Sequence, residues 1–281
     1  MLKYIDLFCG IGSFHYSFFK LGFECVMACD IFAPARVTYE KNHKLKPLGD
    51  ICDIDPSTIK PYDILCAGFP CQPFSQAGFR KGFKDEKDNR GTMFYQVMKF
   101  VKINRPRFVI LENVQGLLKH DNGKSFKKIE AELNAEGYKM AYKVLKCSDY
   151  GIPQMRKRLI MVGIKDSDDG ILNEFFNLQE YEKKTTLKEY LHRDFEKQTA
   201  YTIRCGGKRS PIDDRHNWDG YWVNNNGVKE EYRLTISDAL KLQGFENYVL
   251  HGSKTANWKM LGNTIPTIFT QIIGKQILKS L

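Results

Sequence analysis

No two cysteines in this chain stand at C-x-x-C spacing, and no histidines cluster: the eight cysteines and six histidines are scattered through 281 residues. That leaves no zinc pattern of the usual spacing. A disulfide scaffold is not expected in a chain of this length with an ordinary apolar content, and free thiols point to a reducing interior. No apolar run approaches the length of a membrane span. The opening MLKYIDLFCG lacks the basic segment and long apolar run of a signal peptide. Repeats and low-complexity tracts are also missing. These absences lead us to expect a cytoplasmic protein with no membrane association and no metal.

What is present is ordinary in amount and unusual in sign. Apolar residues make up 42% and charged residues 27%, enough for a normal core in one large domain, or one domain with a small insert. Lys and Arg outnumber Asp and Glu by 43 to 33, a net +10. An excess of this size fits a polyanionic partner without proving one.

Apolar runs alternate with helical patterns. KYIDLF (3–8) is read as a strand that stops at the turn CGIGSF. FHYSFFKLGF follows with Phe14, Phe18 and Leu21 at helical spacing and Gly22 placed to end the helix. ECVMACD (24–30) reads as a strand, APARVTYEKNH as a helix and YDILCAG (62–68) as a strand. The pattern continues with GTMFYQVMKFVKIN as a helix, PRFVILEN (106–113) as a strand and GKSFKKIEAELNAEG as a helix. YKMAYKVLK and RLIMVGI read as two further strands. This alternation predicts an α/β domain with a mostly parallel sheet, its strands buried on both faces. Ligands of such sheets bind beyond the carboxyl ends of the strands. Asp30, Cys71 and Glu112 all fall there, so three distant segments are expected at one crevice.

After residue 165 the texture becomes more charged and rich in Gly, Asn and Arg, with Trp218 and Trp222 among them. Residues 166–254 are therefore read as a second, smaller domain. NWKMLGNTIPTIFTQIIGKQILKSL then recovers helical periodicity, so 255–281 are expected to rejoin the domain of residues 1–165.

DLFCGIGSF follows a strand and opens a helix, as a dinucleotide motif does, but carries two of its three glycines. Nucleotide and S-adenosylmethionine both fit such a turn. Asp30, twenty residues after Gly10, ends the second strand, where a carboxylate can accept both ribose hydroxyls. Asp50 can accept from an adenine amino group. A plain glycine turn with a surface acid remains the alternative.

Cys71 lies between Pro70 and Gln72, with Pro73 next. An isolated cysteine is usually a buried structural thiol. Prolines on both sides, however, give the rigidity a nucleophile needs. A thiol of ordinary pKa, about 8.5, gains from a positive neighbourhood. Glu112 sits at another strand tip, where it is otherwise a solvated acid or a helix cap. QMRKRL places Arg156 and Arg158 two residues apart, hence on one side of an extended segment. Both are expected to face the crevice, unless the segment is merely a solvated edge.

Taken together, DLFCGIGSF, GDI, DILCAGFPCQPFSQAG, ENV, HDNG, DYGIPQMRKRLIMVG, RLTISDALKLQGF and LGNTIP resemble the DNA (cytosine-5) methyltransferases, in particular the small bacterial restriction–modification enzymes. The matching stretches cover 4–164 and 233–270 almost continuously. The resemblance implies an S-adenosylmethionine-dependent, Rossmann-like methyltransferase fold with a target-recognition domain, acting as a monomer on double-stranded DNA. It implies that Cys71 attacks C6 of a flipped cytosine, that Glu112 bonds N3 and the exocyclic amine, and that Arg158 contacts the base carbonyl. Arg156 would support Arg158, and Asn113 would position the Pro-Cys loop. Phe8, Gly10, Gly12, Asp30, Ile31, Asp50, Ile51, Pro70 and Asn263 fall on cofactor positions. Gln72, Ser75, Arg80, Lys81 and Arg90, in the basic stretch after the cysteine, fall on DNA-contacting positions. So do Thr202, Arg204, Arg209 and Arg215 in the recognition region.

The chain departs from the family pattern in three places. Asp30 stands where glutamate is commoner and reaches one methylene less. The catalytic loop is a few residues longer than the shortest. The segment between the last strand and RLTISDAL is only about seventy residues. Competing readings are a tRNA cytosine-5 methyltransferase, a DNA-binding homologue without catalysis and a thiol hydrolase. The first would carry a Cys-Phe-Thr signature, which is absent. The second is disfavoured by the intact Cys71, Glu112 and Arg158. The third needs a histidine, and His15, His43 and His120 have no evident claim.

Overall fold

The structure, a computed structural model, describes residues 1–70, 93–167, 169–206 and 210–281. The calls on Cys71, Gln72, Ser75, Arg80, Lys81, Arg90 and Arg209 lie outside these residues. The described strands build a six-stranded sheet in the order β2-β1-β3-β4-β6-β5. The strands are β1 (Lys3–Leu7), β2 (Glu24–Cys29), β3 (Ile64–Ala67), β4 (Phe108–Asn113), β5 (Tyr138–Lys146) and β6 (Lys157–Lys165). β2, β1, β3 and β4 pair parallel, and β6 runs antiparallel between β4 and β5. The central strands β3 and β4 are buried along their whole length. That is why they read as unbroken apolar runs rather than alternating ones.

Helices cover both faces. α1 (Ser13–Phe19), α2 (Ala33–His43), α3 (Met93–Asn104) and α4 (Lys124–Ala135) follow β1 to β4 as the alternation predicts. Leu65, Val109, Leu111 and Met161 face one apolar layer with Val97 and Phe100 of α3 and Ile129 and Leu133 of α4. Ile64, Cys66, Ile110 and Val162 face the other, with Phe14 and Phe18 of α1 and Phe269, Ile273 and Ile277 of α9 (Thr267–Lys279). At Gly274 a Cβ would overlap Leu21 and press on Phe18, so α9 lies tight against α1 and the turn that follows it. The C-terminal helix thus completes the layer that residues 1–165 begin.

The same layer extends past residue 165. Phe175 of α5 (Asp169–Phe175) is buried in it, and Phe176 and Leu178 pack against it. The expected boundary at 165/166 therefore cuts through a packed layer. The rest of the 166–254 segment is more regular than its composition suggested. It contains α6 (Leu187–Leu191), α7 (Ile236–Leu242) and a hairpin of β7 (Gly220–Asn225) with β8 (Val228–Arg233). Asn226 and Gly227 turn the hairpin with φ of 52° and 85°, the left-handed values an Asn-Gly turn supplies. This signal was readable in the sequence. Its core of Phe195, Ile203, Trp218, Tyr221 and Leu242 continues into Ile11, Ala35, Met260 and Leu261, with α8 (Lys254–Asn263) between the two regions.

Candidate active site

Beyond the carboxyl ends of β1 to β4 opens a cleft of about 820 Å³. Its floor is the turn after β1. Phe8, Gly10 and Gly12 have φ of 57°, 54° and 84°, a left-handed path that turns the chain from β1 into α1. Only glycine fits at Gly12, because a Cβ there would overlap the His43 ring and crowd Tyr39. Beside Gly10 a Cβ would meet nothing within 4 Å, so this stretch of main chain borders open space. Cys9 N donates to Cys29 O at 2.9 Å, tying the turn to the end of β2.

Asp30 completes that tie. Its Oδ2 accepts from Gly10 N at 2.8 Å and its Oδ1 from Phe32 N at 2.7 Å. Burial pushes its carboxyl above the ordinary value, against the pull of these two amides, Arg36 and Lys259. A carboxylate offers about four acceptor positions, so two remain for a ligand in the cleft. Lys259 caps the rim, its ammonium 4.3 Å from the Phe32 ring centroid. Ile31 lines the same rim and is exposed.

Asp6, on β1 beneath the turn, was not singled out from the sequence. It lines the cleft with 1% exposure, and its Oδ2 has no hydrogen-bond partner among the described residues. Burial first, then the charge of Asp30, push its carboxyl well above the ordinary value. Its place in an apolar strand disguised it.

The predicted adenine-end residues are arranged differently from the rest. Asp50 and Ile51 do not line the described cleft. The Asp50 carboxylate accepts from Cys52 N at 2.9 Å and caps the turn Ile51–Asp53, while Ile51 is buried in the core.

Glu112 and Arg158 meet at the other end. Arg158 Nε lies 2.8 Å from Glu112 Oε1, both side chains being largely buried. The register pairs Glu112 with Ile160 and Asn113 with Leu159, so the end of β4 lies beside the start of β6. Burial raises the Glu112 carboxyl above its usual value, while Arg158 and then Arg156 draw it back down. Gly68 leaves room for this acid, since a Cβ there would stand 3.3 Å from Glu112 Oε2. Asn113 Nδ2 donates to Phe69 O at 3.2 Å and its Oδ1 accepts from Val114 N at 2.9 Å. It thereby holds the chain that leads through Pro70, also on the cleft wall, toward Cys71.

Arg156 does not share the crevice with Arg158, contrary to the expectation from their two-residue spacing. Arg158 lines the cleft, whereas the Arg156 side chain is fully buried, drawn to main-chain carbonyls of distant segments. Its Nη1 donates to Ile203 O at 3.0 Å, and its Nη2 to Gly262 O at 2.8 Å and Thr264 O at 2.7 Å. Asn263 lines the cleft and accepts from the Cys205 thiol at 2.8 Å. Thr202 is half-buried; Arg204 and Arg215 are exposed.

His15 and His43 sit behind the glycine turn. His15 Nδ1 lies 2.8 Å from Tyr39 OH, and the two rings of His15 and His43 stack at 4.2 Å. Burial lowers His15 to about 4 and, with His15 beside it, His43 to about 3. Both are neutral packing groups at physiological pH. Among the described residues no group of His, Cys, Asp or Glu is arranged to hold a metal, and no helix is long and apolar enough to cross a membrane.

The family model for C-5 cytosine-specific DNA methylase matches residues 2–223. Type II methyltransferase M.HaeII of Haemophilus aegyptius is 34% identical over 305 residues, covering 99% of this chain and 93% of its own. M.HhaI of Haemophilus parahaemolyticus is 31% identical over 320 residues, covering 100% and 95%. M.NgoBI of Neisseria gonorrhoeae is 40% identical over 253 residues, covering 89% and 77%. Among solved structures, S. pombe Dnmt2 methyltransferase superposes with a TM-score of 0.74 over 99% of both chains at 19% identity. That likeness carries the fold.

Proposed function

Because the chain belongs to the C-5 cytosine-specific DNA methylase family, we propose that its cleft binds S-adenosylmethionine and that Cys71, Glu112 and Arg158 methylate C5 of a flipped cytosine in a short duplex sequence. The type II relatives support a role in restriction–modification. The single observation that carries the site assignment is the Glu112–Arg158 pair beside Pro70 at the strand ends, next to a cleft walled by the glycine turn.

The residues present fit the cofactor. Asp30 keeps two acceptor positions for a ribose diol. Phe8, Ile31 and Phe32 offer apolar surface to an adenine ring. Among the described residues Asp6 Oδ2 is a buried acceptor without a partner, of the kind a cationic group would satisfy. When bound, S-adenosylmethionine supplies an electrophilic methyl group.

A duplex hides C6, so the cytosine must leave the stack at a cost of a few kcal/mol, which phosphate contacts offset. The Cys71 thiolate forms a bond to C6, and charge moves into the ring toward N3. Glu112, whose carboxyl is raised above its usual value by burial against the pull of Arg158, shares a proton with N3. Arg158 holds the Glu112 carboxyl in place and donates toward the base carbonyl. With S-adenosylmethionine bound, C5, now nucleophilic, would take its methyl and leave S-adenosylhomocysteine; loss of the C5 proton to water would then break the C6–sulfur bond, releasing the Cys71 thiolate, and the N3 proton would return to Glu112. Asn113 keeps the Phe69–Pro70 chain in register for the thiol. Residues 1–165 and 255–281 with α5 serve this chemistry, and the region from there to residue 254 reads the sequence. Such an enzyme works in the cytoplasm as a monomer.

Expression in a methylation-deficient host followed by bisulfite sequencing should reveal 5-methylcytosine at one short motif. Duplex DNA with 5-fluorocytosine at that site should form a covalent adduct with the wild type, because fluorine is not lost as a proton is. The Cys71→Ala enzyme should form none while still binding DNA. An adduct with Cys71→Ala would refute the nucleophile.

A further inference from the structure

The backbone of Ile203 is held by side chains from the segment that leads into β6. Gln154 Oε1 accepts from Ile203 N at 3.1 Å, and Arg156 Nη1 donates to Ile203 O at 3.0 Å. Both polar groups of residue 203 are therefore fixed by two buried side chains two positions apart. The second amino group of the same guanidinium donates to Gly262 O and Thr264 O, which flank Asn263 on the wall of the cleft. The main chains also touch directly: a Cβ on Gly262 would overlap the backbone of Arg204 and Cys205, and the Cys205 thiol donates to Asn263 Oδ1 at 2.8 Å. Arg156 is wholly buried, and the hydrogen-bond acceptors of its terminal nitrogens are carbonyls. An apolar residue of similar volume often serves stability as well as a buried charge does. A fork that joins three separate chain segments is a job apolar packing cannot do.

We propose that Arg156 is a positioning residue that couples the recognition region to the cofactor cleft, by locking the segment around Ile203 to Gly262–Thr264 so that a ligand on either side changes the affinity for the other. This rests on the reading above, in which Thr202 and Arg204 face DNA and Asn263 faces the cofactor. None of residues 200–206 lines the cleft, so a cofactor acts on them through intervening contacts, and of these the Arg156 fork is the one that grips Ile203 and both neighbours of Asn263 at once.

The test measures binding, not turnover. Calorimetry with S-adenosylhomocysteine, alone and with a duplex bearing the mapped site, gives the coupling factor. Each ligand should tighten the other by the same factor, roughly 5-fold or more. In Arg156→Lys, whose single ammonium cannot span three carbonyls, the factor should fall toward one while each ligand alone still binds. A purely structural arginine would instead lower the melting temperature and weaken both ligands with the factor unchanged, which would overturn the proposal. Hydrogen exchange on the wild type covers the case of a variant that does not fold. S-adenosylhomocysteine alone should slow exchange at residues 200–206, and no slowing there would equally overturn it. A wild type that binds each ligand without coupling removes the tie and leaves the functional reading standing. One that binds neither removes both.

Discussion

Arg158 reaches Glu112 at 2.8 Å because β6 runs against β4, which puts the first residues of one strand beside the last residues of the other. In a wholly parallel sheet the arginine would sit a strand length away from the acid. The reversed strand therefore assembles the polar end of the site.

Replacing Glu112 by Gln keeps the shape and removes the acid. The turnover number should drop about 10²-fold or more, within the range for general acid–base catalysis. Binding of S-adenosylhomocysteine should change little, since the cofactor end of the cleft is walled by other residues. Near-normal turnover in a steady-state assay would rule out the role.

Asp30→Ala should raise the KM for S-adenosylmethionine far more than that for DNA. The structure adds a second consequence. The amides of Gly10 and Phe32 lose their acceptor, which costs about 1–3 kcal/mol when such groups stay buried, so the melting temperature should fall as well. Asp30→Asn should not restore it fully, because its amino group must face one of the two donors. A selective loss of DNA affinity would contradict the assignment.

Gly12→Ala should cripple cofactor binding without touching the catalytic acid. Residue 12 has φ +84°, and its Cβ would overlap the His43 ring, which cannot retreat because it stacks on His15 and bonds Tyr248. A positive φ at a non-glycine residue adds about 1–2 kcal/mol of its own. Unchanged affinity for S-adenosylhomocysteine by calorimetry would show that the turn tolerates a side chain.

Asp6 gives a pH prediction. Its folded pKa is raised, so the folded state binds the proton more tightly than the unfolded one. The stabilising contribution of the protonated acid is whole below the unfolded pKa and is lost as pH rises toward the folded pKa. Asp6→Asn should therefore raise the melting temperature near pH 8 by roughly 2 °C or more, corresponding to about 1 kcal/mol. The gain should shrink as the pH approaches the ordinary carboxylate range. Scanning calorimetry across pH checks both, and an Asn variant less stable at pH 8 would contradict it.

In the recognition region, alanine at an arginine that reads guanine should cost about 1–3 kcal/mol and relax the preference at one base pair. A phosphate contact should weaken all sequences alike and lower the salt slope by roughly one unit. At least one of Arg204, Arg209 and Arg215 should be of the first kind. If bisulfite maps are unchanged in all three alanine variants, this loop is not the reader.

The sequence by itself determined the parts that depend on short-range physics. The run VILEN is apolar enough to be a buried strand, Gly10 and Gly12 mark a left-handed turn, and APARVTYEKNH forms its helix from end to end. Asp30 and Glu112 were legible as strand-end acids because alternation alone puts such residues over a sheet's ligand-binding edge. Tertiary structure decided what spacing cannot encode. Arg156 and Arg158 share one side of an extended segment on paper, yet one forms an ion pair in the crevice and the other is buried against carbonyls of residues 203, 262 and 264. Those partners are distant in sequence, and only the packed chain brings them near. Asp6 escaped notice for the same reason: a carboxyl in an apolar strand shows its lack of a partner only once the elements around it are in place.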